Sequence, residues 1–372
     1  MRVALVHDWL TGMRGGERCL EVFCEVFPDA DLYTLLHVRG SVSPTIERRR
    51  IVTSFIQRLP DAERRYRSYL PLFPAAIRRF DLSAYDLVLS SSHAVAKGAR
   101  ARPGALHVCY CFTPMRYVWD LYDDYFGARA GPLTRTLMPP VAAALRRWDR
   151  RTAAGVHHFV AISRFIADRI RRCYGRDADV IYPPVDVARF RLEEKGDDFY
   201  LVVSALTPYK RVDLAVEAAS RLGRRLLVVG TGPEEARLRA LAGPGVRFLG
   251  GKDDAQVAEL YARCRALLFP TVEDFGITPL EAMAAGRPVI ALGQGGALET
   301  VVGPGGSEPP TGLFFAHQTV DDLTGAIRSF ESGATHFEPK ALRRHAERFD
   351  RPIFRERVEA YLGAVLARAR AC

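Results

Sequence analysis

No apolar run in this 372-residue chain reaches the ~18 residues that a membrane-spanning helix needs. The first run, Val3-Ala4-Leu5-Val6, is broken at His7-Asp8, too early for a signal peptide. The seven cysteines include no CxxC pair, so neither a zinc cage nor a disulfide framework is expected. Cys109 and Cys111 alternate on one apparent strand, and reduced thiols in a cytosolic core are the expectation. Short repeats and low-complexity tracts are absent, as are helix-turn-helix, RNP and zinc-finger patterns. No nucleic-acid partner is therefore read from charge alone.

The chain does hold enough residues for two to three domains at about 150 residues each. Its 48% hydrophobic and 26% charged fractions are those of a soluble globular protein. Lys plus Arg number 53 against 43 Asp plus Glu, a net charge of +10 that suits an anionic partner. Short Val/Ile/Leu-rich runs alternate with longer helical patterns. Strands are expected at Val3–His7, Asp31–Leu35, Tyr85–Ser90, Leu106–Cys111, Val156–Ile162 and Asp179–Tyr182. A second series follows at Phe199–Ser204, Arg225–Val229, Val246–Leu249, Ala266–Phe269, Pro288–Ala291 and Gly312–Phe315. Such βαβα alternation predicts an α/β protein of two Rossmann-like, doubly wound domains. The expected boundaries are 1–190, 191–351 and a terminal helix over 352–372 that packs back on the first domain. Tyr182-Pro183-Pro184 and the charged stretch Glu193–Asp198 mark the hinge. A ligand is expected between the domains, at the carboxyl ends of both sheets.

Four stretches carry candidate chemistry. His7-Asp8-Trp9-Leu10-Thr11-Gly12-Met13-Arg14-Gly15-Gly16-Glu17 leads from a strand into a helix, and its bare amides suit a phosphate, although the spacing is not G-x-G-x-x-G. Thr207-Pro208-Tyr209-Lys210-Arg211 places a cation at a helix start, a position electrostatically unfavourable without an anion nearby. Val229-Gly230-Thr231-Gly232-Pro233 is a common strand-to-helix turn. In Glu273-Asp274-Phe275-Gly276-Ile277-Thr278-Pro279-Leu280-Glu281, Thr278 reads as an N-cap, with Pro279 at the first helical position and Glu281 closing a capping box. Glu273 has no such structural duty and suits sugar hydroxyls.

Together these stretches, with Gly295-Gly296-Ala297-Leu298-Glu299, resemble the retaining, nucleotide-sugar-dependent glycosyltransferases of family four, which have the GT-B fold. The resemblance covers nearly the whole chain. Ser90–Gly98 and Thr113–Asp120 look like the bacterial branch that builds surface polysaccharides, including mannosyltransferases of O-antigen and exopolysaccharide synthesis. The resemblance implies catalytic roles for Lys210 and Glu273, with Lys210 and the Gly16 amide on the donor diphosphate and Glu273 on the transferred sugar. It places Glu281 on the ribose and the Gly276, Ile277 and Thr278 backbone against sugar and phosphate. Gly15, Arg211, Gly230 and Gly232 complete the expected donor site. No metal and no further cofactor are implied. Two positions depart from the family pattern: Ala205 stands where an arginine is frequent, and Phe112 where a histidine is. His93, at another strand end of the same sheet, is the next candidate for that histidine's place.

The stretch 64–80 mixes Arg64, Arg65, Arg67, Arg78 and Arg79 with Tyr66 and other apolar residues, and Arg48-Arg49-Arg50 adds to its charge. Such a mixture suits anionic headgroups. The expected partners are a nucleotide sugar, GDP-mannose first, a polyprenyl-diphosphate-linked glycan acceptor and the inner face of the cytoplasmic membrane. A catalytically silent subunit of the same fold is the alternative that Phe112 and Ala205 motivate.

Overall fold

The computed structural model describes residues 1–127 and 131–371, so the seventh cysteine, Cys372, lies outside the described residues. Strands β1 (Val3–His7), β2 (Asp31–Thr34), β3 (Ile51–Thr53), β4 (Leu87–Ser92), β5 (Leu106–Cys111), β6 (His158–Ala161) and β7 (Asp179–Val180) form one sheet. A second sheet holds β8 (Tyr200–Val203), β9 (Leu226–Val229), β10 (Val246–Gly250), β11 (Ala266–Phe269), β12 (Val289–Leu292) and β13 (Gly312–Phe315). The strand orders are β3-β2-β1-β4-β5-β6-β7 and β10-β9-β8-β11-β12-β13, parallel throughout. Each order reverses once, between β1 and β4 in the first sheet and between β8 and β11 in the second. At those reversals the loops leaving the strands diverge and open a crevice for a ligand.

Burial on both faces explains the near-continuous apolar strands: every residue of β1, β4, β11 and β12 is buried. Pro288 precedes β12 and contributes only its carbonyl, to the Leu267 N–H at 3.0 Å. Unexpected from the sequence was β3, a three-residue, half-buried strand at the sheet edge, too short to show a period. Polar residues inside the first sheet are paired, Ser90 Oγ with His107 Nε2 at 2.8 Å and Ser91 Oγ with His7 Nδ1 at 2.7 Å. The six described cysteines are buried and form no disulfide among themselves.

The chain forms two compact units, Met1–Pro184 joined by Phe354 to the C-terminus, and Val185–Ile353. The break precedes the expected 190/191 boundary. The reason is local: the Val185 N–H donates to Phe349 O at 2.9 Å and the Val187 N–H to Asp350 Oδ1 at 3.1 Å, which ties residues after Pro184 to the second unit. The terminal helix Arg351–Ala371 packs into the first unit. Its Phe354 ring lies 5.8 Å from Phe23 and 5.7 Å from Tyr110, and Tyr361 Oη donates to Asp179 at 2.9 Å.

Candidate functional site

In the second unit the loops after β8 and β11 flank the reversal of strand order. The first carries Lys210 and the second Glu273, and the two side chains form an ion pair with less than a fifth of either exposed. The loops are tied by Thr271 Oγ1, which donates to Tyr209 O at 3.3 Å. Glu273 is fixed from behind: the Gly296 N–H donates to its carbonyl at 2.8 Å, and a Cβ on Gly295 would stand 2.6 Å from that same oxygen. Glycine at 295 is therefore required by backbone approach, and its φ of +66° agrees.

Glu281 is not the end of a capping box. The helix spans Ile277–Ala284, Gly276 is its N-cap at φ +101°, and no side chain caps it. That positive φ is a conformation Thr278 would adopt only with strain, so the helix starts at glycine and Thr278 lies inside it. Glu281 instead accepts from Tyr261 Oη at 3.1 Å. Tyr261 is fully buried, and burial, reinforced by the Glu281 charge, pushes its phenol well above the ordinary range. It remains a donor at any physiological pH. The sequence did not single it out, because a tyrosine on an amphipathic helix reads as core.

Arg211 faces its own helix. At φ +50° it precedes Val212–Leu222 and clamps Asp213 through Nε at 3.1 Å and Nη2 at 3.2 Å, with Gln318 at 3.5 Å. Its charge is thereby largely engaged by Asp213. Gly230 and Gly232 also have a structural explanation, since added Cβ atoms would meet Ser204 O at 1.8 Å and Leu206 O at 2.3 Å.

In the first unit the loops after β1 and β4 flank the other reversal. Asp8 has no exposure, and its carboxylate accepts the N–H groups of His93, Ala94, Val95 and Ala96 at 2.7–2.9 Å. His93 Nδ1 lies 3.2 Å from the same carboxylate. Burial lowers the His93 pKa, and Asp8 only partly offsets it. The β4 loop is anchored beneath by Lys97, buried and 2.8 Å from Asp149, whose carboxylate also accepts from Trp119 and Tyr174 at 2.8 Å. Removing one member of such a buried pair costs about 3–5 kcal/mol. Gly15 and Gly16 open the helix Gly15–Val26, and Glu17 reaches back to the Arg14 N–H at 3.0 Å. Burial raises the Glu17 carboxyl, but nearby His7, with backbone and His93 contributions, brings it below its ordinary value. A Cβ on Gly16 would meet Phe112 at 3.4 Å and His7 at 3.6 Å. Asp8 was legible only as part of a loop; its signal was a carboxylate separated by one residue from the apolar run Val3–Val6.

Arg64, Arg65, Arg67, Arg78 and Arg79 are exposed, with Leu72 beside them 41% exposed. Tyr66 is not part of that surface. It is buried against the Trp9 ring, 5.1 Å away, because it sits on the inward face of its segment with Leu70, Phe73 and Ile77. Among the described residues no helix is long and apolar enough to cross a membrane.

Two family models match the chain: "Glycosyltransferase Family 4" over residues 13–189 and "Glycosyl transferases group 1" over residues 186–348. O-antigen chain mannosyltransferase C of Escherichia coli is 37% identical over 120 residues, 30% of this chain and 32% of that protein. A GDP-mannose-dependent alpha-(1-6)-phosphatidylinositol monomannoside mannosyltransferase of Mycobacterium tuberculosis is 32% identical over 222 residues, 51% of this chain and 56% of that one. The chain thus spans between a third and just over half the length of these curated relatives. The structure of Anabaena HepE in complex with UDP-glucose superposes with a TM-score of 0.70 at 17% identity, covering 98% of this chain and all of that one. The two parallel sheets are those of the GT-B fold.

Proposed function

We propose a reaction for this chain, which belongs to the family 4 glycosyltransferases: it moves a hexose, mannose first, from a nucleotide sugar to a lipid-linked glycan. The observation that carries the reading is the meeting of Lys210 and Glu273 where the strand order of the second sheet reverses. A diphosphate reaching Nζ replaces Glu273 as the counter-charge of Lys210. The Glu273 carboxylate then accepts hydrogen bonds from the sugar hydroxyls. As the sugar–phosphate bond breaks, charge grows on the departing diphosphate. A cation fixed in place stabilises that charge, which is the term usually largest in such catalysis.

Glu281, with one oxygen held by Tyr261, is assigned to the ribose hydroxyls, and the Gly276, Ile277 and Thr278 backbone to sugar and phosphate. Gly15 and Gly16, at the start of the helix Gly15–Val26, are proposed to present their amides to a phosphate. Gly230 and Gly232 are left to loop packing, and Arg211 to Asp213. Transfer is proposed to retain configuration and to need no metal, since Lys210 and backbone amides supply the positive charge. GDP-mannose is the proposed donor because the relatives named for mannosyl transfer match residues of this chain at 32% and 37% identity. The exposed arginines at 64, 65, 67, 78 and 79, with Leu72, are proposed to rest on anionic lipid at the inner face of the cytoplasmic membrane, where a polyprenyl-diphosphate-linked acceptor would be met.

The test is a thermal-shift series with GDP, UDP, dTDP and their sugars, run on the wild type and Lys210→Ala. GDP-mannose is expected to give the largest rise, and Lys210→Ala to abolish most of it. A flat response to every nucleotide overturns the proposal. Binding without turnover favours the silent-subunit alternative.

A further inference from the structure

We infer that the first unit carries a saccharide-binding hollow at the outer edge of its sheet, where Arg39, Thr53 and Glu63 hold one sugar of the acceptor glycan. The inference deepens the glycosyl-transfer reading and rests on it. The hollow, of about 360 Å³, is walled by the loop after β2 (His37 and Arg39), by Thr53 of the edge strand β3, and by Gln57 and Glu63. The last two sit on the turns Phe55–Arg58 and Ala62–Arg65. That volume suits a small ligand. The lining is polar but does not satisfy itself. Among the described residues no hydrogen bond or ion pair engages the side chains of Arg39, Thr53 or Glu63, although Arg39 and Glu63 carry opposite charges.

The wall is built before any ligand arrives. The Leu10 N–H donates to Leu36 O at 2.8 Å and the Val38 N–H to Leu10 O at 2.9 Å, which carries the β1–β2 ladder past the strand ends. His37 donates twice: its N–H to Gln57 Oε1 at 2.7 Å, and its ring Nε2–H to Glu47 at 3.1 Å. The Glu47 carboxylate also accepts the Gly40 N–H at 2.7 Å. An ionised carboxylate only accepts, so the ring hydrogen facing it is on Nε2. With its oxygen taken, the Gln57 amide keeps its NH₂ to donate, and Nδ1 of the neutral His37 ring is left to accept. Walls fixed in this way lose little freedom on binding.

The ligand class follows from the balance of these groups. Arg39 and Glu63 cancel in charge, so the lining has no net charge with which to select a nucleotide or a lipid phosphate. It offers donors at Arg39 and Gln57, acceptors at Glu63 and His37, and a hydroxyl at Thr53. A neutral sugar ring uses such a mixture, because each of its hydroxyls both donates and accepts. Val38 and Ile51 of the same lining supply apolar surface for the C–H face of the ring. The order β3-β2-β1-β4 puts the hollow two strands from the reversal at β1 and β4, about 10 Å at the usual strand spacing. A sugar held there is a different residue of the glycan from one that enters that crevice. Glu63 shares the turn Ala62–Arg65 with the exposed Arg64 and Arg65, so the glycan lies beside the arginines proposed to meet the bilayer.

The experiment uses the full chain and, as probe, the oligosaccharide released from the source cells' own lipid-linked glycans. Saturation-transfer NMR reads its binding to the wild type, Arg39→Ala and Glu63→Ala. Initial rates with the intact lipid-linked glycan and GDP-mannose read KM and kcat. The wild type should show saturation transfer, and each variant should bind the probe about tenfold more weakly or worse, the size set by one hydrogen bond to a charged group. KM for the glycan should rise by a like factor while kcat and the KM for GDP-mannose hold, as for a contact made equally in ground and transition states. Neither side chain has an internal partner, so the melting temperature of the free protein should not move. Absent saturation transfer in the wild type, or an unchanged glycan KM in both variants, overturns the sugar site, while a thermal shift with GDP-mannose keeps the donor assignment. Loss of vesicle co-sedimentation in both variants with glycan binding kept gives the hollow to the lipid surface and overturns it equally. A wild type that binds the glycan but shows no shift with any sugar nucleotide keeps the hollow as a glycan site and ends the transfer reading.

Discussion

At the scale of single residues, the second unit divides its work between charge and orientation. Lys210 and Glu273 supply charge, and Tyr261 supplies direction to Glu281. Glu273→Gln keeps the shape of the side chain and removes its charge. Steady-state transfer should fall about 10²-fold while GDP affinity, read by calorimetry, moves little, because the proposed contact is with the sugar. Tyr261→Phe removes one hydrogen bond to a carboxylate. A bond of this kind is worth about 1.5–3 kcal/mol and is present in the free protein, so the melting temperature should fall by several degrees, and GDP should also bind more weakly through the loosened Glu281. If GDP affinity is kept, Tyr261 is only a core residue. Lys210 and Glu273 could be singled out in the sequence, as a cation at a helix start and a carboxylate with no capping duty, whereas Glu281 read as the end of a capping box. Tyr261 and Asp8 could not. Their roles depend on neighbours 20 and 85 positions away, and no local pattern carries such a pairing.

At the scale of elements, twelve of the strands could be read from short runs, most plainly those such as β1, β4, β11 and β12 where burial on both faces leaves little but apolar or small residues. Helix starts were less legible. The Thr278-x-x-Glu281 spacing has the form of a capping box, yet a glycine at positive φ two positions earlier begins the helix and frees Glu281 for Tyr261. The interior of the first sheet makes its own prediction. His107 on β5 is wholly buried, and burial, aided by His157 and Lys97, lowers its pKa to about 3. Keeping it neutral contributes stability that is complete above the 6.5 of an unfolded histidine and is lost as pH falls toward about 3, by up to about 1.4 kcal/mol per pH unit. Denaturant melts at pH 7, 5 and 4 should show this slope, and His107→Gln should flatten it. An unchanged slope in that variant would place the acid sensitivity elsewhere.

At the scale of the whole molecule, the net charge of +10 includes five arginines that the first unit exposes without a carboxylate partner among the described residues, at 64, 65, 67, 78 and 79. Each such charge near an anionic bilayer contributes about 1 kcal/mol, screened within roughly 10 Å at 0.1 M salt. Replacing Arg64, Arg65 and Arg67 by Gln should therefore cut co-sedimentation with phosphatidylglycerol vesicles by two orders of magnitude or so. Binding to neutral vesicles should not change. Equal sedimentation of wild type and variant would assign these arginines to solvation alone.

The connectivity has an effect on how the protein is made. Phe354 and the helix around it complete the core that residues 1–184 begin, so the first unit lacks a wall until the ribosome has delivered more than 350 residues. The middle segment holds all its own strands and finishes earlier. Domains usually mature in the order of their synthesis. Here residues 1–184 must wait, with Phe23 and Tyr110 uncovered, for the helix Arg351–Ala371 to close over them.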